Sequence, residues 1–90
     1  MALLDIEGEL LRGAVAALAN PDQTLELHCD VSDADAVATA MTSVNRRFGR
    51  LDALVNNAGI AVFKPLLETT FEEWQRVLAV NLNGPFLCTQ

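Results

Sequence analysis

The sequence has no tyrosine, a single histidine and a single lysine. One histidine, His28, beside one thiol leaves a zinc site short of ligands. Cys29 and Cys88 are the only cysteines, with no Cys-x-x-Cys spacing and apolar neighbours. They read as two buried free thiols of a cytoplasmic protein rather than a disulfide framework. Basic residues are scarce, six against twelve acids for a net charge of −6. Cations so few and scattered argue against a nucleic-acid partner. The acidic balance bears on solubility and says little about substrate. No apolar run approaches the roughly 20 residues of a membrane helix. Residues 1–7 lack the basic region and long apolar core of a signal peptide. No repeat, low-complexity tract or linker divides the 90 residues, so they make one small domain at most. About half of them are apolar, 51%, which excludes disorder by composition.

The residues that are present alternate in pattern. Ala2-Leu3-Leu4 is a short apolar run ending at Asp5. Residues 9–19 place Leu10, Leu11, Ala14, Val15 and Leu18 on one helical face, and Asn20-Pro21 stops that helix. Residues 24–29 alternate as a strand and end at Asp30-Val31. Ser32 is placed as the N-cap of a second helix, with Asp33 and Asp35 in its first turn. Val37, Met41, Val44 and Phe48 recur at helical spacing, and Gly49 stands where a helix closes. Residues 51–55 are apolar and read as a third strand. Residues 60–69 hold Pro65 and no clean period, so they form a loop. Thr70-Phe71-Glu72-Glu73 is a capping box, followed by a helix with Phe71, Trp74, Val77, Leu78 and Leu82 on its buried face. The order β-α-β-α-β-loop-α implies an α/β fold with a parallel sheet and right-handed crossovers.

Parallel strands bring their carboxyl ends to one edge, where open α/β sheets bind ligands. Three such ends carry polar groups: Asp5, Asp30, and the run Asn56-Asn57-Ala58-Gly59. Singly, each acid reads as a turn or cap, and the Asn/Gly run as a turn with no ligand. Together they point to a nucleotide. An acid after a strand can take both hydroxyls of an adenosine ribose, and it repels a 2′-phosphate, which favours NAD over NADP. A second clue is Val80-Asn81-Leu82-Asn83-Gly84-Pro85-Phe86. If the helix continues through Pro85, the missing N–H leaves the Asn81 carbonyl without its partner, and a kink or π-type bulge follows. Alternatively, the helix ends near Asn83-Gly84 and Pro85 opens a new segment.

These residues resemble the classical short-chain dehydrogenase/reductase family. The resemblance covers essentially the whole chain and rests on Asp5, Asp30-Val31, Asn56-Asn57-Ala58-Gly59 and Asn81, each in its place after a strand or within the last helix. It implies a partial NAD(P)-binding Rossmann domain over residues 1–90. It also implies oxidoreduction of a small alcohol or carbonyl substrate by hydride transfer. Asp5 with Ile6 would meet the adenosine ribose, Asp30 and Val31 would flank adenine, and Asn56 to Gly59 would line the cofactor. Asn81 would match the asparagine of the family's Asn-Ser-Tyr-Lys tetrad, its carbonyl placing a water in the proton relay. The departures are equally plain. There is no Gly-x-x-x-Gly-x-Gly and no tyrosine, and Lys64 lies in a loop.

The stretch thus matches the family from its second strand to the helix after its fourth. In a strand order of 3-2-1-4 the first strand would fall between two of those present. Unpaired edges at about 1–3 kcal/mol per buried unmet group predict marginal stability, association through strand edges, or rearrangement. Association through the last helix, which in the family packs against a second subunit, is also expected. The chain is expected to be inactive by itself and to hold no cofactor tightly alone. The alternative is a non-catalytic remnant serving as an interaction or oligomerisation module.

Overall fold

A computed structural model describes residues 1–18 and 21–90. Strand β1 (Ala2–Asp5) is followed by helix α1 (Gly8–Ala16), strand β2 (Leu25–His28) and helix α2 (Ala34–Phe48). Helix α3 (Phe71–Leu78) runs through a π turn (Ala79–Asn83) into helix α4 (Gly84–Thr89). Helix α1 ends at Ala16 with Ala17 as its C-cap, short of the Ala19 expected from the sequence, and residues 19–20 lie outside the described residues. The two strands pair in parallel, with Ala2 opposite Leu25 and Asp5 opposite His28. The Cys29 N–H continues the ladder to the Asp5 carbonyl at 2.9 Å. The α/β class and the parallel β-α-β unit stand as the alternation of patterns implies.

The helices begin and end on local chemistry. Helix α2 is capped by Asp33, whose carboxylate accepts the N–H groups of Asp35 and Ala36. Ser32, expected as the cap, instead donates its N–H and its hydroxyl to Asp30 Oδ1 at 2.9 and 2.6 Å. The acid one position on is the stronger acceptor, and a hydroxyl already turned toward Asp30 is not free to cap. Gly49 closes α2 at φ 77°, a left-handed conformation that glycine adopts without strain. Thr70 caps α3 by accepting the Glu73 N–H at 3.1 Å, as the capping box requires. Lys64 ties the preceding loop to the same carboxylate, Nζ to Glu73 Oε1 at 2.8 Å.

The core centres on Cys29, Val37 and Ala40, with Leu4 and Leu27 from the strands and Leu87 and Cys88 from α4 packed against them. Leu11 of α1 and Val44 of α2 are also buried. Burial raises the pKa of both thiols, Cys29 chiefly and Cys88 solely by loss of water, so both stay protonated and unreactive. Cys29 is fully buried and Cys88 partly so, and both are free.

Two further expectations are corrected. Residues 51–55 form no strand, and the sheet is two-stranded. A strand exists by its ladder, and no described residue offers these backbone groups an edge, so residues 51–59 are exposed and without regular structure. The face of α3 assigned to the core is also largely open. Phe71 is 71% exposed, Trp74 53% and Leu82 63%. The helix instead docks through Val80, Gly84, Leu87 and Cys88. Both faces are apolar in sequence, and among the described residues only one is buried against the core.

Candidate functional site

The ladder puts Asp5 and Asp30 at one edge, because β1 and β2 end side by side. Each acid first organises its own turn. Asp5 Oδ1 accepts the Glu7 N–H at 2.8 Å. Asp30 Oδ1 takes both groups of Ser32. The Ser32 hydroxyl, then its N–H, hold the Asp30 carboxyl below the ordinary carboxylate range, against the opposing effect of partial burial. A carboxylate has roughly four acceptor positions, so both acids keep capacity for a further donor. Val31 lies half-buried beside this turn, while Ile6 is exposed.

The π turn answers the question raised by Pro85. The helix continues through it, and the Gly84 N–H bonds to the Ala79 carbonyl five residues back. Pro85 has no N–H and donates to neither Val80 nor Asn81. The Asn81 side chain is spent differently. Its Oδ1 accepts the Ile60 N–H and its Nδ2 donates to the Ile60 carbonyl, both at 2.8 Å. This two-point clamp fixes the residue immediately after Asn56-Asn57-Ala58-Gly59. At the other end of that run, Asn56 Nδ2 donates to Thr89 Oγ1 at 3.3 Å. The run therefore lies antiparallel to α4, tethered at both ends. Asn57 and Ala58 between the tethers are exposed.

Gly59 adopts no positive φ. A Cβ there would stand 3.4 Å from Asn81 Oδ1, an ordinary contact, so the freedom to turn expected of it is not used. Gly84 is the demanding position. A Cβ on it would fall 2.8 Å from Val31 Cγ2 and 3.3 Å from the Val31 carbonyl oxygen. The structure thus brings Asp5 and Asp30-Val31 together through the ladder. It joins Asn56 and Ile60 to the last helix, and seats that helix on Val31. Ile60 and Gly84 were not singled out by sequence. The signal for Gly84 was its place one residue before Pro85, where it reads equally as a helix stop.

These residues form an open wall rather than an enclosed cavity. A hollow of about 300 Å³ between β2 and α2 includes His28, Asp33 and Asp35, and another of about 480 Å³ follows Leu82 to Gln90. Neither is lined by Asp5, Asp30, Val31 or residues 56–60. Among the described residues no group of three or more His, Cys, Asp or Glu could hold a metal ion. No helix among them is long and apolar enough to cross a membrane.

The family model described as enoyl-(acyl carrier protein) reductase matches residues 1–90. Momilactone A synthase of Oryza sativa subsp. japonica is 44% identical over 93 residues, covering all of this chain and 33% of the relative. A crystallised short-chain dehydrogenase/reductase (glucose/ribitol dehydrogenase) from Brucella melitensis superposes with a TM-score of 0.92 at 33% identity. That match covers 98% of this chain and 37% of the other. NAD⁺-bound xylitol dehydrogenase gives 0.89 at 36% identity, over 98% and 35%. The chain spans about a third of the length of the rice relative it matches.

Proposed function

The chain belongs to the short-chain dehydrogenase/reductase family, and from that premise we propose that it supplies the adenosine wall and the asparagine of an NAD-dependent alcohol or carbonyl oxidoreductase. The observation that carries this reading is the clamp between Asn81 and Ile60. With its side chain turned to Ile60, Asn81 presents its backbone carbonyl in a π turn where Pro85 donates no hydrogen bond. A carbonyl so placed can hold a water in a proton relay. Bound NAD would supply the hydride acceptor. What this chain's own residues do is bind and position. Asp5 accepts from the ribose hydroxyls and disfavours a 2′-phosphate. Asp30 and Val31 flank adenine. Asn56 to Gly59, held along α4, line the nicotinamide side, and their place beside Asn81 supports that reading.

The donor set fits such a dinucleotide in part. Acid and turn stand together at the strand ends, while the glycine loop that seats a pyrophosphate is absent from these 90 residues. So are the tyrosine, serine and partner lysine of the tetrad, and we read the 90-residue chain as inactive in hydride transfer by itself. A nitrogen-15 NMR titration of the purified chain tests the reading. NAD should shift the amides of residues 30–32 and 56–60, NADP less so, and Asp5→Asn should erase the difference. Shifts confined to the groove between β2 and α2, or equal response to both cofactors, would overturn it.

A second reading has its own observation. Phe71, Trp74, Leu82 and Phe86 form one exposed apolar stripe along α3 and α4. Stripes of this kind mark protein contact surfaces, and this one favours association of two copies through the last helix.

A further inference from the structure

Helix α4 meets the Asp30–Val31 turn at Gly84, and that contact leaves no room for a side chain. Gly84 is buried, and a Cβ on it would fall 2.8 Å from Val31 Cγ2, closer than real Cβ contacts come, with Val31 Cβ and its carbonyl oxygen each at 3.3 Å. The obstacle is not the end of a flexible chain. Val31 is β-branched and stiff at χ1, and its own backbone oxygen forms part of the contact. Around the contact everything else is fixed. One residue before Val31, Asp30 is held by Ser32. Two residues before it, Cys29 is packed against Leu87 and Cys88 of α4. Three residues before Gly84, Asn81 grips Ile60 through both polar groups. The Gly84 N–H itself closes the π turn on Ala79.

We propose that Gly84 is a positioning residue that couples the two halves of the site, fixing the distance between the Asn81 clamp and the Asp30–Val31 turn by its lack of a side chain. The inference rests on the cofactor reading for its functional consequence, and on the contact alone for its structural one. A methyl group at residue 84 must move Val31 outward or lift the start of α4. The first displaces the adenine side of the wall. The second tilts the helix that carries Asn81 and strains its bonds to Ile60. Either way a change on the helix is felt at the strand-end turn, through packing and without contact to any ligand.

The test is a compensation cycle on the purified chain, with Gly84→Ala, Val31→Ala and the double variant. Gly84→Ala is expected to weaken NAD binding by roughly tenfold, the scale of overpacking a close contact. It should also speed amide exchange at both Ser32 and Ile60. Val31→Ala removes the Cγ2 atom at 2.8 Å and leaves contacts at 3.3 Å that small shifts absorb. The double variant should therefore regain protection at Ser32 and Ile60, and bind NAD within about threefold of Val31→Ala alone. If the losses simply add, the coupling is wrong. If Gly84→Ala alters Ile60 but leaves Ser32 unchanged, the helix does not communicate with the turn and the proposal fails. If the unmodified chain binds no dinucleotide, the cofactor reading falls, while rescue of amide protection still decides the coupling.

Discussion

Replacing Asn81 by alanine removes the only two hydrogen bonds that Asn81 makes across to residues 56–60. Both are 2.8 Å long, and both end on the backbone of Ile60. A net hydrogen bond contributes about 0.5–1.5 kcal/mol, so the pair could supply about 1–3 kcal/mol. Asn81 is exposed, and water reaches the groups it leaves, which places the loss toward the lower end. Alanine is also the better helix former, returning up to about 0.5 kcal/mol. The expected net cost is about 1 kcal/mol, or a fall in Tm of about 4–8 °C for a domain of this size. Asn83→Ala is the matched control, since Asn83 lies on the same π turn and is exposed. It should change stability by less than about 0.5 kcal/mol. Thermal melts followed by circular dichroism give the first number, and amide exchange at Ile60 gives the local one. Equal Tm shifts in the two variants, with Ile60 exchange unchanged, would refute the clamp as the element that holds the run in place.

Two other perturbations follow. The Asp30 carboxyl is held low chiefly by the Ser32 hydroxyl, so its contribution to stability is present above the ordinary carboxylate pKa of about 3.9. That contribution is lost as pH falls through the lower folded value. Ser32→Ala should raise the Asp30 midpoint toward the ordinary range in a carbon-13 carboxyl titration, and an unmoved midpoint would refute the assignment. The apolar stripe predicts self-association. Trp74→Glu combined with Phe86→Glu should reduce the mass seen by light scattering to that of one chain, and an unchanged mass would place the contact elsewhere.

What the sequence made legible was local. Thr70 and Glu73 carry their cap within four residues, and Gly49 and Pro85 impose their geometry on the turn that contains them. Asp33 displaced Ser32 as a cap because two neighbouring residues compete for one donor pair, and the winner depends on where Asp30 points. The exposed face of α3 was misjudged for a different reason. Phe71, Trp74 and Leu82 are as apolar as Val80 and Leu87, and periodicity does not tell which face meets a partner. The same holds for Gly84, whose role exists only because Val31, far away in sequence, comes to meet it. Asp5 and Asp30 were legible as strand ends, while Asn56 and Asn57 follow no strand. The clamp on Ile60 was not, because a backbone group carries no side-chain signature.

Residues 51–59 show how far local order can stand in for a sheet. They have no ladder, yet 98% of the chain superposes on the Brucella melitensis short-chain dehydrogenase/reductase with a TM-score of 0.92. The tethers explain how. Asn56 meets Thr89 and Ile60 meets Asn81. Eight helical residues at a rise of 1.5 Å separate the two anchor points by about 12 Å. The four steps from Asn56 to Ile60 reach about 13 Å only when nearly extended. The two side-chain contacts on the helix thus match in spacing a nearly extended run that has no neighbouring strand. It follows that the geometry of Asn56-Asn57-Ala58-Gly59 depends on the integrity of α4 rather than on the sheet. A change that loosens the helix at the π turn should release the run, even with β1 and β2 intact.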